Sequence, residues 1–337
     1  MKLEKQICDD EVPSKLDAVK RIIVIGDIHG DKELMKKSLR LASIIDDNDK
    51  WIAEPPDTIV VQVGDQVDRC RPIDGRTCSE DITYNDEDSD YYILRFMHEL
   101  NDKARRVNGR VINLLGNHEI MNVQGNVTYV SKKGLANKKR LTDFQRGGPM
   151  ARYLACTRNS IVIIGKHLFA HAGIMPALID KYGKDIKKIN NLIRNWLLGD
   201  KHDINDLLNS PTLSPFWPRD YGNENANVCT TILPKVLTVF SVNDMVLGHS
   251  PQFFTNGKGI NAICNGRIIN VDVGASNAFK AWDINDSKNR QPQVLEILND
   301  VDFYSISAHG RIRLGTPEFY SISEQIGGYK FYHLVKK

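Results

Sequence analysis

Apolar residues in the first third of this chain fall into two alternating patterns, β-branched runs and helical spacing. Arg21–Gly26 is a run of the first kind, and Asp31–Ile45 then places Met35, Leu39, Ala42 and Ile45 on one helical face. Thr58–Gly64 is a second strand of the buried type. Residues Glu87–Val107 carry Ile93, Met97, Leu100, Ala104 and Val107 along one face, which predicts a second helix, and Arg110–Gly116 is a third strand. Strand, helix, strand, helix, strand in that order implies parallel pairing through right-handed crossovers. Ligands of such sheets gather beyond the carboxyl ends of the strands.

After residue 150 the pattern changes. Ser160–Ile164 and His167–His171 flank Gly165-Lys166, a two-residue hairpin signal, and Met245–Gly248 is a short strand ending at His249. Ile260–Cys264 and Arg267–Val273 flank Asn265-Gly266, a strong hairpin turn. These runs predict a second, largely antiparallel sheet. Two sheets packed face to face with helices outside make an α/β protein, a four-layer α/β/β/α sandwich of two mixed sheets. Residues 21–297 form this domain, 1–20 an N-terminal extension, and 298–337 a C-terminal appendage of modest apolar content. No internal repeat or low-complexity tract is visible.

Composition narrows the function classes. With 337 residues, 41% hydrophobic and 26% charged, the chain has the make-up of a soluble globular protein with a sizeable core. A net charge of +3 is too small to imply nucleic acid as a partner. The first twenty residues lack the apolar stretch of a signal peptide, and nothing approaches the ~18 apolar residues of a membrane span. The expectation is a cytoplasmic protein with no membrane partner; its oligomeric state is not readable. Cys8, Cys70, Cys78, Cys156, Cys229 and Cys264 are scattered without a CxxC pair, which favours reduced thiols. Cys70 and Cys78 flank one loop, within reach of a redox clasp. Two insertions are charged: 70–90 is acidic, and 131–152 holds Lys132, Lys133, Lys138, Lys139, Arg140, Arg146 and Arg152 against the single acid Asp143. Charge runs are mostly solvated surface, but each of these follows a chemical motif closely enough to edge a cleft.

Those motifs are Gly26-Asp27-Ile28-His29-Gly30, Gly64-Asp65-Gln66-Val67-Asp68-Arg69 and Gly116-Asn117-His118-Glu119, each straight after a strand. His171 and His249 follow two further strands. Oxygen and imidazole donors converging from five strand ends suit a pair of divalent metals, and manganese, iron and zinc all accept such mixed ligands. Asp27 and His29 share a face as residues i and i+2 and can hold one ion. Asp65, with two carboxylate oxygens, can bridge both ions, and Asn117, His171 and His249 complete the second. His118 points instead toward a leaving group as general acid, with Asp68 on its far nitrogen. Arg69 offers a bidentate fork for phosphate, Glu119 a supporting role, and Trp217 and Arg219 a wall and a second arginine beside it.

The motifs resemble those of the PPP-type phosphoprotein phosphatases within the calcineurin-like metallophosphoesterases, over roughly residues 21–297. Gly147-Gly148-Pro149, Phe169-Ala170-His171-Ala172-Gly173 and Asn265–Gly274 are similar to the bacterial-type, Shewanella-like branch. The resemblance implies a dimetal phosphatase that hydrolyses phosphomonoesters by direct attack of a metal-bridging hydroxide. Phosphorylated protein or peptide is the implied substrate, at Ser/Thr or Tyr. A dinucleotide-polyphosphate hydrolase is the alternative with the same core motifs, and a non-catalytic phosphate-binding module the remote one. The family's Gly after Asp-Arg is Cys70 here, and Pro251 replaces the second histidine of a Gly-His-x-His motif, which argues against a nuclease.

Overall fold

The computed structural model describes residues 12–255, 259–282, 290–315, 320–326 and 329–334. A two-residue strand, β1 (Lys15–Leu16), precedes the first expected one. Then β2 (Arg21–Ile25), β3 (Ile59–Gln62) and β4 (Arg110–Leu114) pair in parallel, joined by α1 (Lys32–Leu41) and α2 (Asp90–Arg105). Asp31 starts α1 by accepting the Leu34 amide at 3.0 Å. The helix stops short of Ile45 because Ser43 takes a left-handed φ of 53°, so Ala42 and Ile45 reach the core from the turn instead. Val107 likewise lies beyond its helix, 40% exposed.

Downstream of β4, α3 (Asn117–Val123), α4 (Lys132–Ala136), α5 (Arg140–Phe144) and α6 (Pro149–Thr157) lead into β5 (Arg158–Asn159), which pairs with β4. The basic segment is thus short helices rather than a loop. A second sheet holds β6 (Ile161–Ile164), β7 (His167–Ala170), β8 (Asp244–Leu247), β9 (Asn261–Ile263) and β10 (Ile268–Asn270) in the order β1-β6-β7-β8-β10-β9. Both expected hairpins form. The sheet is not largely antiparallel, however, because β1–β6, β7–β8 and β8–β10 pair in parallel. The helical crossover between β7 and β8 returns the chain in its original direction, which no turn signal announces.

The first sheet continues past residue 297. β11 (Gln293–Leu298) pairs antiparallel with β2, and β12 (Asp302–Ser307) and β13 (Gly310–Arg313) extend the same edge. The segment read as an appendage therefore supplies two strands of the seven-stranded sheet, while β14 (Tyr320–Ile326) and β15 (Tyr329–Leu334) form a separate hairpin. Residues 12–14 also join the second sheet's side, where Ser14 accepts the Ile163 amide.

Strand alternation sets the layers. Ile22 and Val24 meet Val162, Ile164, Phe169 and Val246 between the sheets, whereas Ile23 and Ile25 face Met35, Leu39, Ile93 and Met97 of the first helical layer. Ile161, Ile163, Leu168 and Met245 face outward against Leu154, Ile189 and Ile193. The result is the expected four-layer sandwich.

Cysteine chemistry departs from expectation. Cys70–Cys78 and Cys229–Cys264 are disulfides with Cα separations of 5.8 and 5.0 Å, Cys156 is disulfide-bonded as well, and no described cysteine is free. Folding brings Cys229 of the β7–β8 crossover to the β9–β10 turn, a proximity that spacing along the chain hides. Reduced thiols, the ground for expecting a cytoplasmic site, are therefore absent among the described residues. Among the described residues no helix is long and apolar enough to cross a membrane.

Candidate metal centre

The carboxyl ends of the two sheets meet, and the candidate residues lie there. Asp27 and His29 follow β2, Asp65 follows β3, Asn117 and His118 open α3 after β4, and His171 and His249 follow β7 and β8. His29, Asp65, Asp68 and His249 all have left-handed φ, between 44° and 74°. Such backbone is costly for residues with a Cβ and clusters at functional sites. Close approach explains two glycines: a Cβ on Gly116 would stand 2.1 Å from Asp65 Oδ1, and one on Gly248 2.2 Å from Asp27 Oδ1.

Asp65 is the hub. Its Oδ2 lies 3.8 Å from His29 Nε2, 3.8 Å from His118 Nε2 and 3.4 Å from His171 Nε2. Two donor groups share it, His29–Asp65–His118 and Asp65–His171–His249, all buried. Asp65 Oδ1 accepts the His118 amide at 2.9 Å, so Oδ2 is the oxygen turned to the imidazoles. Asp27 Oδ2 is 3.8 Å from His29 Nε2, and Asn117 Oδ1 is 2.9 Å from His171 Nε2 and 3.0 Å from His249 Nδ1. The far Nδ1 atoms of His171 and His29 face the carbonyls of Val63 and Val67 at 2.9 and 3.3 Å. That leaves each Nε2 as a lone-pair donor, the arrangement by which proteins orient metal-binding histidines. The buried His249 Nε2 has no hydrogen-bond partner.

Charge in this pocket is unbalanced. Burial pushes the Asp27 carboxyl well above its ordinary value, with Asp272 and Asp65 adding repulsion, and burial pushes Asp272 up to about 6. Asp65 is held well below its ordinary value because His171, His118 and His29 together outweigh its burial. His29 is pushed down by burial, then by Arg71 and His118; His249 is pushed down by burial, His171 and Arg219. Buried carboxylates crowded beside imidazoles fit divalent cations: the oxygens supply negative charge that a cation neutralises, and the His29 and His249 rings, both pushed down, stay unprotonated to ligate. At His171 the Asp65 carboxylate outweighs burial and pushes the ring up.

A tight frame holds these groups. Glu119 accepts amides from Gly116, Asp65, Gln66 and Val67, pinning the second motif to the third. Asp68 Oδ2 meets His118 Nδ1 at 2.8 Å, while Asp68 Oδ1 accepts from Asn122 at 2.9 Å and lies 3.3 Å from the Arg140 guanidinium. Arg140 also pairs with Asp90 at 2.8 Å. It is 2% exposed, so it is no rim charge but an anchor beneath Asp68, unlike its exposed neighbours Lys138 and Lys139. The two charged insertions partly bind each other: Asp86 accepts from Ser131 and Lys133, and Tyr91 donates to Asp143.

Arg219 donates to the His249 carbonyl at 3.3 Å, and Trp217 stands edge-on to His249 at 6.1 Å, so both border the centre. The Nε and Nη2 atoms of Arg69 are buried without a hydrogen-bond partner. Its Nη1 donates to Gly30 O at 2.9 Å and lies 3.4 Å from both Asp31 and Glu87. Asp272, Arg71 and Tyr129 enter the site without having been singled out. Asp272 stood in a quoted strand-end run, which was a usable signal; the other two are placed by tertiary folding alone.

The sequence pattern of the calcineurin-like phosphoesterases matches residues 20–253. An uncharacterized protein of Acanthamoeba polyphaga mimivirus is 34% identical over 63% of this chain and 98% of its own length. A protein named Shewanella-like protein phosphatase 2, from Arabidopsis thaliana, is 26% identical over 85% of this chain and 77% of its own. Among solved structures, a cold-active protein-tyrosine phosphatase of a psychrophilic Shewanella superposes with a TM-score of 0.71 at 23% identity, covering 92% of this chain and 84% of that one. That likeness is one of fold.

Proposed function

The chain belongs to the calcineurin-like phosphoesterases, and on that premise we propose that it is a metal-dependent phosphatase of phosphomonoesters carried on protein side chains. One observation carries the reading: a single buried carboxylate oxygen, Asp65 Oδ2, faces imidazole nitrogens from three strand ends within 3.8 Å. Asp27, His29 and Asp65 would hold one divalent cation, and Asp65, Asn117, His171 and His249 the other. Manganese, iron and zinc all suit this nitrogen and oxygen set. Bound there, the two cations would supply Lewis acidity toward phosphoryl oxygens and acidify water.

The chain's own groups divide the remaining work. His118 keeps Nδ1 on Asp68 and turns Nε2 inward, which orients a proton toward the leaving oxygen. Asp68 fixes the ring, and Asn122 and Arg140 in turn fix Asp68. Arg219 borders the pocket beside His249. Relatives named protein phosphatases support phosphoprotein as the substrate class.

The test is a parallel assay of phosphotyrosine peptide, phosphoserine peptide and diadenosine tetraphosphate, with manganese and with a chelator. Peptide hydrolysis that chelation abolishes and manganese restores is the expected result. Hydrolysis of the dinucleotide alone would replace the substrate class, and full activity after metal stripping would sink the proposal.

A further inference from the structure

We propose that Arg158 positions Asp65, the carboxylate shared by both donor groups, by clamping the next residue, Gln66; this rests on the metal-dependent reading above and adds a residue to its machinery. Arg158 lies in β5, where its Cα partner on β4 is Asn113. The two side chains meet one glutamine from opposite ends. Arg158 Nε and Nη2 both donate to Gln66 Oε1, at 3.0 and 2.7 Å, and Gln66 Nε2 donates to Asn113 Oδ1 at 3.0 Å. Both ends of the glutamine amide are thus engaged, and none of the three residues is more than 2% exposed. The Gln66 backbone amide donates to Glu119 Oε1 at 2.8 Å, so the residue after Asp65 is held by side chain and backbone alike.

A guanidinium taken out of water needs a counter-charge or a full set of acceptors. Besides Gln66, Arg158 has Leu94 O at 3.0 Å, Thr157 Oγ1 and the face of Tyr153 at 5.5 Å, which orient it without pairing its charge. Burial pushes the group down, while Tyr153 and Glu119 favour its charged form. Glu119 is also the carboxylate that gathers the amides of Gly116, Asp65, Gln66 and Val67. A buried cation and a buried anion therefore hold the second motif from two sides. Asp65 needs that support because its backbone is left-handed, φ 53°, a conformation that a residue with a Cβ keeps only where its surroundings dictate it. Without the clamp on Gln66 the turn relaxes, and Asp65 Oδ2 leaves its place within 3.8 Å of the His171, His29 and His118 imidazoles. Arg158 stands 92 residues from Gln66 in a stretch that carries no motif, so nothing in the sequence marks it.

The experiment uses the full chain stripped of metal by a chelator. Manganese binding is measured by calorimetry for wild type, Arg158→Met, Arg158→Lys, Gln66→Leu and the double variant Arg158→Met/Gln66→Leu, with urea unfolding of each metal-free form. Arg158→Met should bind manganese roughly 10- to 100-fold more weakly, the usual effect of losing a residue that orients a metal ligand. The double variant should lose no more than the weaker-binding single variant, because both changes break one link. Arg158→Lys keeps a cation in the same space and guards against a methionine variant that fails to fold. It should still fall short of wild-type affinity, because it lacks the fork. A merely stabilising residue would move the urea midpoint and leave manganese affinity alone. Losses that multiply in the double variant, or wild-type affinity in a folded Arg158 variant, would overturn the inference. Turnover of p-nitrophenyl phosphate separates the two claims. Activity that returns in Arg158→Met as manganese rises supports a role in holding the ions, whereas a wild type that binds manganese yet leaves the ester intact would sink the phosphatase reading alone.

Discussion

Asp68 shows how much of the centre depends on single contacts one step removed from the metals. One of its oxygens holds His118 and the other meets Asn122 and Arg140. His118→Asn should keep both metals and lower kcat by on the order of 10²–10⁴, the usual share of general acid catalysis. The loss should shrink for aryl phosphates, whose leaving oxygens need little protonation; equal losses on aryl and alkyl esters would remove the proton-donor role. Arg140→Met leaves Asp68 and Asp90 buried without their shared cation and should cost ~3–5 kcal/mol in urea unfolding. A change within ~0.5 kcal/mol, the range of ordinary surface substitutions, would return Arg140 to the solvated surface. Metal-binding candidates such as Asp27, Asn117 and His249 were legible because each ends a strand whose apolar run is visible. Arg140 was not, since within a basic run nothing marks the one side chain that two buried carboxylates draw inward.

At the level of elements, the expected strands were readable to within three residues at each end because burial on both faces leaves continuous apolar runs. Helix ends and loop pairings were less so. The α1 terminus is decided by Ser43, and the acidic loop's fate by partners far along the chain, Ser131 and Lys133 for Asp86, together with the Cys70–Cys78 disulfide inside it. Because that disulfide closes an eight-residue separation beside Arg71, chain-entropy reasoning assigns it about 2.5 kcal/mol of constraint on the loop. Cys78→Ser should accordingly raise KM for a phosphomonoester while both metals and kcat are kept. Cys70→Ser, which opens the same bridge from its other side, should have the same effect. A kcat loss with unaltered KM would show that the loop serves the chemical step rather than the grip on substrate.

Across the whole molecule the two sheets are joined at both ends, and the ends use opposite chemistry. At the carboxyl ends, donors from both sheets surround the proposed cations. At the other end of β7, His167 is fully buried, 2.9 Å from Asp244 of the same sheet and 3.1 Å from Asp300 in the β11–β12 turn of the other, with Phe303 edge-on at 5.4 Å. Nothing in the sequence marks His167 for this role, since Asp300 reaches it only once β11 has crossed to pair with β2. Burial by itself would lower this histidine, but Asp244 and Asp300 outweigh it and push the group up to about 10. Lys166 and Arg267 are the cations near those two carboxylates. A folded-state value raised above the unfolded ~6.5 contributes stability that is complete below pH ~6.5 and disappears as pH climbs through the folded value. Urea unfolding of wild type and His167→Gln, at neutral pH and at pH about 11, isolates this clasp from other titrations. The variant should be less stable by ~3–5 kcal/mol at neutral pH, and the gap should close at the alkaline end as the wild type loses its imidazolium. A gap that stays constant with pH would mean that His167 joins the sheets by packing against Phe303, not by charge.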